Sequence, residues 1–433
     1  MRRVTALAVL ALLLCSSMAF GAAGDFTYGG DLRVRESIFS NNPLPNGGTM
    51  PDFNFFRIRP RLWGNYGISD NMSVQAMVTN EFRHYVDPDN ETWDFPDEWF
   101  IDNLYLDIND LAGGKLDLRI GRQNLIYGTG KVILDGTPGD GSRSIYMDAI
   151  KASWSGFENM TVDLLGIYNS AENLLVINGQ DRNLTNYTGQ DPDLEMDELG
   201  IGVYLKHKGL SEGWPMEAYL LMKQEAEYGA AESSTINTIG LRLMPKLSDS
   251  LSGNLELAYQ MGSQGDIDKS GYMLDAKVTM TVAALEQYKT KASVGLYLLS
   301  GDDPGTADDE AWTPAFSRWP QYSELYIYSF ATHPGSVADW QNVMMPYVAV
   351  SAVPHAKVSS TALLGMMQAP QEDGVDGTGR GILFTWWNKF KVKEGIFREK
   401  DSLSGHLLLE AVMPGDYYAD DADTATWLRW EFI

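Results

Sequence analysis

The stretch F-F-R-I-R-P-R-L-W-G, Phe55 to Gly64, places Arg57, Arg59 and Arg61 at every second position among Phe56, Ile58, Pro60 and Leu62. A period of two belongs to an extended strand, whose successive side chains point to opposite faces. One face is oily and the other cationic. A soluble sheet and a membrane barrel both accept this pattern, but they place the faces differently. In a barrel, Phe56, Ile58 and Leu62 face lipid and the arginines face a water-filled lumen. The reverse register would cost ~2–4 kcal/mol for each arginine at the midplane, so it is strongly disfavoured. Pro60 lacks a ladder donor and predicts a bulge or a rim position.

The N-terminus decides where the chain goes. Met1-Arg2-Arg3 is a basic head, Val4 to Leu14 is an apolar run, and Ala19-Phe20-Gly21 precedes Ala22-Ala23. This is the pattern of a secretory signal peptide, expected to span 1–21 and to leave a single domain over 22–433. Cys15 is the only cysteine, so the mature chain is expected to hold no disulfide. The formal charge is −25, and it becomes −27 when Arg2 and Arg3 are lost, which argues against a nucleic-acid partner. No later run reaches the roughly 18 apolar residues of a spanning helix. With 44% apolar and 11% aromatic residues the chain is not of disordered composition either. An exported chain of this kind is a soluble β protein or an outer-membrane barrel.

The alternation recurs along the chain. Val74, Ala76 and Val78 oppose Gln75, Thr79 and Glu81; Leu104 and Leu106 oppose Tyr105 and Asp107; Leu116 and Leu118 oppose Asp117 and Arg119. Further on, Leu220 opposes Tyr219, and Leu255 and Leu257 oppose Glu256. About 18 such segments occur, each near the 9–11 residues that cross a bilayer as a tilted strand. Connections alternate between short (67–71, 110–114, 155–158, 209–214, 245–250) and long (39–53, 85–99, 125–144, 170–197, 301–342), with 391–401 a long exception on the short side. Thr424 to Ile433 ends in an aromatic-rich strand of the kind read by barrel-insertion machinery. The fold expected is all-β: a transmembrane antiparallel up-and-down barrel of about 18 strands, with short periplasmic turns and long extracellular loops. Its expected place is the Gram-negative outer membrane, as a monomer among lipid and lipopolysaccharide. Loop 301–342 is expected to fold over or into the pore, carrying any extra strand at Tyr322 to Ala331.

The expected inner face is basic at many levels: Arg33, Arg35, Arg57, Arg59, Arg61, Arg83, Arg119, Lys151, Lys206, Lys223, Arg242, Lys277 and Arg429. Glu81, Asp107, Asp117, Asp163, Glu217 and Glu256 share it. Such a wall either pairs its charges internally or leaves some cations to select anions. Trp63, Tyr105, Tyr219 and Tyr297 offer stacking surfaces or simply fill space. Asp302, Asp303, Asp308 and Asp309 cluster in a long loop as weak calcium candidates, without the spacing of an EF-hand. Five histidines occur without H-E-x-x-H or G-x-S-x-G, so no enzyme and no cofactor is expected.

Several segments resemble the alginate-export family of outer-membrane barrels. They are R-I-R-P-R-L-W-G-N-Y (57–66), N-E-F-R-H-Y (80–85), L-D-L-R-I-G-R-Q-N-L-I-Y-G (116–128), S-G-D-D-P-G-T-A-D-D-E (300–310), and the end from Pro414 to Phe432. The resemblance implies an 18-stranded monomeric pore for an acidic exopolysaccharide such as alginate. Carried over by position, Arg57, Arg59, Arg61, Arg83, Arg119 and Arg122 would line the pore and meet uronate carboxylates. Arg122 is out of step with Arg119 and needs a bulge or a rim location to point inward. The alternative is a general or substrate-specific porin for small solutes, which would use the same wall.

Overall fold

The computed structural model describes residues 24–43, 49, 51–88, 99–134, 146–170, 175–178, 197–209, 214–227, 232–317, 322–325, 341–372, 377–396, 398–419 and 421–433. The expected signal segment 1–21 lies outside these residues.

Eighteen antiparallel strands close into one barrel with almost no helix. They are β1 Phe26–Ser40, β2 Phe53–Ser69, β3 in two pieces (Met72–Asn80 and Phe82–Asp87), β4 Trp99–Asp110, β5 Leu116–Gln123 and β6 Met147–Phe157. Then come β7 Met160–Asn169, β8 Glu198–His207, β9 Met216–Glu225, β10 Ser234–Leu243, β11 Leu251–Gln264 and β12 Ile267–Thr281. The last six are β13 Lys291–Leu299, β14 Val343–His355, β15 Val358–Gln368, β16 Gly379–Glu394, β17 Ser402–Met413 and β18 Ala425–Phe432. Each pairs with the next, and β18 returns to β1 from Ser40↔Thr426 to Val34↔Phe432, so the sheet has no open edge.

The two faces differ as their side chains require. Leu32, Ile201, Val294 and Val348 on the outer face are 54–59% exposed, alongside Leu164, Leu220, Ile239 and Leu364. A ring of large apolar side chains around the whole wall is incompatible with water and matches a lipid belt. Exposed aromatics flank it: Phe26, Tyr28, Phe157, Trp214 and Tyr288 toward the short-turn rim, Tyr168 and Tyr272 toward the other. The inward positions are buried. In the opening stretch Arg59 faces Arg33, Arg57 faces Arg35 and Arg61 faces Asp31. Inner-face glycines make room for rings: a Cβ on Gly240 would lie 2.1 Å from the Tyr219 ring.

Two local expectations are corrected. Pro60 lies neither at a bulge nor at a rim; it sits mid-strand opposite Leu32. The ladder gap falls instead on the neighbouring strand, where β3 breaks at Glu81, which the flanking register places opposite Arg59, next to the proline that has no N–H to give. The short–long alternation is also not strict. A tight turn at Gly265–Asp266 joins β11 to β12 on the long-loop rim, with Gly265 in the left-handed region at φ 56°. Tyr322–Leu325 form no strand, and the remainder of 322–331 lies outside the described residues.

Candidate functional site

The inner wall of β18, β1, β2 and β3 is an arginine cluster built by period-two alternation. Glu81 is fully buried, with Arg57 Nε at 3.4 Å and Arg33 Nη2 and Arg83 Nε each at 3.7 Å. Arg59, in register with Arg33, is 2% exposed. One strand further round, Arg35 Nε donates to Glu431 at 2.9 Å, and Arg33 approaches the same carboxylate at 3.6 Å. Arg429 donates from Nε to His406 Nε2 at 2.9 Å, which leaves the imidazole proton on Nδ1 toward Glu431, 3.4 Å away. Cations outnumber carboxylates along this wall, and the fixed dipoles of the strands offer no compensation.

The opposite wall carries acids, and a loop crosses to meet them. Residues 124–134, after β5, reach Asp163 through Tyr127 Oη (2.9 Å), Glu256 through Thr129 Oγ1 (3.0 Å) and Asp275 through Lys131 Nζ (3.0 Å). Nearby, Arg242 binds Glu217 at 2.9 Å and Lys223 binds Glu198 at 2.9 Å. Part of the loop after β13 joins it. Phe316–Ser317 pair in parallel with Ile133–Leu134, and Ser317 Oγ donates to the Gly130 carbonyl at 2.7 Å. Gln260 Nε2 donates to the Thr313 carbonyl at 2.6 Å and Thr313 N donates back to Gln260 Oε1 at 2.9 Å. Tyr322 Oη donates to Asp275 at 2.7 Å; burial, and then that carboxylate, push the phenol well above its ordinary pKa. From there the chain reaches β17 and β18. Ser323 Oγ and the Glu324 and Leu325 N–H groups donate to the buried Glu410, and Glu324 pairs with Arg429 at 2.8 Å. Both segments therefore lie inside the barrel.

Among the described residues, two adjoining cavities lie on this side of the lumen. One of about 360 Å³ is lined by Tyr322, Glu324, Thr385, Trp387, Lys389 and Glu410. The other, of about 470 Å³, shares Ser359, Trp387 and Lys389 with it and runs past His406 and Glu431 to the short turn at Ala356–Lys357. The Trp387 indole N–H, buried between them, has no partner among the described residues.

The structure brings together seven of the residues singled out from sequence, Arg33, Arg35, Arg57, Arg59, Arg83, Arg429 and Glu81, with Glu431 among them. The others lie apart. Arg61 is paired with Asp31 at 2.9 Å, and Arg119 with its cross-strand neighbour Asp107 at 2.7 Å, stacked over Tyr105. Lys151 is in register with Arg119, and Asp117 is exposed near a turn, accepting from the Asp110 N–H. Arg122 stands opposite Leu104 and Asp148, off the face of Arg119, and forks onto Asp148 at 2.9 Å. The loop acids do not converge on a cation. Asp302 and Asp303 accept backbone N–H groups of Glu310 and Gly305, and Asp309 pairs with Lys269. Among the described residues no group of three or more His, Cys, Asp or Glu is placed to hold a metal ion. Three of the four stacking candidates pack on the protein itself, Tyr105 under Arg119, Tyr219 against Tyr204 and Tyr297 against Tyr322, while Trp63 is 36% exposed. Sequence reading missed Glu431, Glu410, His406 and the loop groups Lys131 and Glu324. Glu431 was findable, because it alternates with Trp430 and Phe432 as the opening arginines do.

No protein family and no curated protein matches this chain. Solved structures do. The chain is similar to OccAB1 of Acinetobacter baumannii at 11% identity over 96% of this chain and 98% of that one, with a TM-score of 0.59. It is similar to OpdL of Pseudomonas aeruginosa at 11% identity, covering 94% and 98%, with a TM-score of 0.58. The outer membrane protein OpdK of the same organism aligns at 12% identity over 94% and 98%, with a TM-score of 0.54. The fold is that of an outer-membrane barrel. Identities this low carry the fold and nothing finer, and the alginate-export resemblance finds no matching family.

Proposed function

We propose that the protein is an outer-membrane porin through which small anionic solutes pass passively. The observation that carries this reading is the inward chain, residues 124–134, 311–317 and 322–325, which reaches from one wall of the lumen to the other and borders a cavity of about 360 Å³ that adjoins a second of about 470 Å³. Pockets of that size suit a single small molecule rather than a polymer. The arginines, buried in the wall, supply a positive field that favours a carboxylate in the lumen, while Glu81 and Glu431 temper it enough for release. The likeness to Occ and Opd barrels supports a channel. Passage of an alginate-like polymer rests on the arginine row alone, and the crossing segments weigh against it.

Swelling of liposomes containing the purified barrel tests the proposal, with glutarate as the small anion and an oligouronate as the polymer. Glutarate is expected to enter and the oligouronate to be excluded. Replacing Arg33, Arg57 and Arg59 together by glutamine is expected to slow glutarate roughly tenfold or more, the size implied by removing three positive charges from the wall's field, while arabinose is little changed. Rapid oligouronate entry, or glutarate flux indifferent to the three substitutions, would contradict it.

A further inference from the structure

Arg429 lies on the arginine wall, yet the carboxylate it holds comes from the protein's own inward chain. Glu324 Oε1 is 2.8 Å from Arg429 Nη1, with both side chains buried. The same four residues, Tyr322–Leu325, are held a second time. Ser323 Oγ and the backbone N–H groups of Glu324 and Leu325 close around one carboxylate of the wall, Glu410. Consecutive N–H groups turned to one side form an anion cradle. The contact is thus reciprocal: the segment gives an acid to a wall arginine and its N–H groups to a wall acid. The 360 Å³ cavity opens directly beside Glu324 and Glu410, and it supplies Lys389, Thr385 and the unsatisfied Trp387 N–H.

We infer that Arg429, with Trp387 and Lys389, is a binding site for a solute carboxylate, and that Glu324 is an internal occupant which the solute displaces. This inference rests on the porin reading and adds a mechanism to it. A carboxylate entering the cavity meets Lys389 and the Trp387 N–H first. It then competes with Glu324, whose Oε1 lies 2.8 Å from Nη1, for the same guanidinium, onto which an incoming carboxylate can fork with both oxygens. Displacement removes one of the two anchors of Tyr322–Leu325 on this wall. An anion that binds the displaced state better shifts the population toward it, and a neutral solute of equal size does not.

Single-channel recording of the purified full-length barrel in planar bilayers tests this, with glutarate as the probe and arabinose as the neutral control. In the native protein, glutarate is expected to raise the open-to-closed ratio saturably, and arabinose to leave it unchanged. Glu324→Gln is expected to raise that ratio roughly tenfold without glutarate, as the loss of one charged hydrogen bond implies, and to abolish the glutarate response. Glu410→Gln removes the second anchor and is expected to open the channel while keeping a glutarate response, since Glu324 still competes. A Glu324→Gln channel that conducts and responds to glutarate as the native one does would overturn the internal-occupant assignment and leave the porin reading standing. Absence of conductance in native and variant barrels that are both folded, judged by heat-modifiable gel mobility, would overturn both.

Discussion

Replacing Glu81 by glutamine is expected to destabilise the barrel by about 3–5 kcal/mol, the cost of leaving a buried charge without its counter-charge. The side chain keeps its size, so packing is not at issue. What is lost is the carboxylate that lies within 3.7 Å of Arg33, Arg57 and Arg83 alike, of which Arg33 also approaches Glu431 at 3.6 Å. Arg33 and Arg59 are 2% exposed and cannot swing into lumen water without moving their neighbours. Repulsion among the arginines therefore outweighs whatever desolvation is saved by removing the acid. A fall in the urea midpoint measures the loss. The double variant Glu81→Gln, Arg57→Gln is expected to regain part of it, because the second change removes one of the stranded cations. Equal stability of Glu81→Gln and the native barrel would show that the cluster is hydrated rather than buried.

The outer face gives the second large effect. Val348 in β14 is 54% exposed and in register with Val294 of β13, near the middle of both strands. Val348→Arg is expected to cost ~2–4 kcal/mol when folding is measured into lipid bilayers, because the guanidinium must enter hydrocarbon. Ser351→Arg, on the same strand but with the opposite parity, points into the lumen and is expected to be nearly silent. A reversed order, with Ser351→Arg the more damaging, would mean that the faces are exchanged.

The ease of reading this fold from sequence follows from its physics. A barrel with lipid outside and water inside imposes period two on every strand, so Arg57-Arg59-Arg61, Asp107 opposite Arg119, and the aromatic end at Trp430 and Phe432 all announce their faces. Register between distant strands carries no such signal. That Arg35 meets Glu431 depends on closure between the first and last strands, nearly the whole chain apart. The break at Glu81 falls on the strand beside Pro60 rather than on the proline's own strand, so the proline alone does not mark it. Loop geometry was least legible. Nothing periodic marks Lys131 or Glu324, and their partners Asp275 and Arg429 become visible only once the chain folds inward.

The most direct test of the central claim is the reversal potential of the purified native barrel in a planar bilayer under a potassium chloride gradient. An arginine-dominated path through a closed barrel predicts a current carried mainly by chloride, with preference declining as salt screens the wall. A potassium-selective current, or a membrane left without conductance by correctly folded protein, would contradict it.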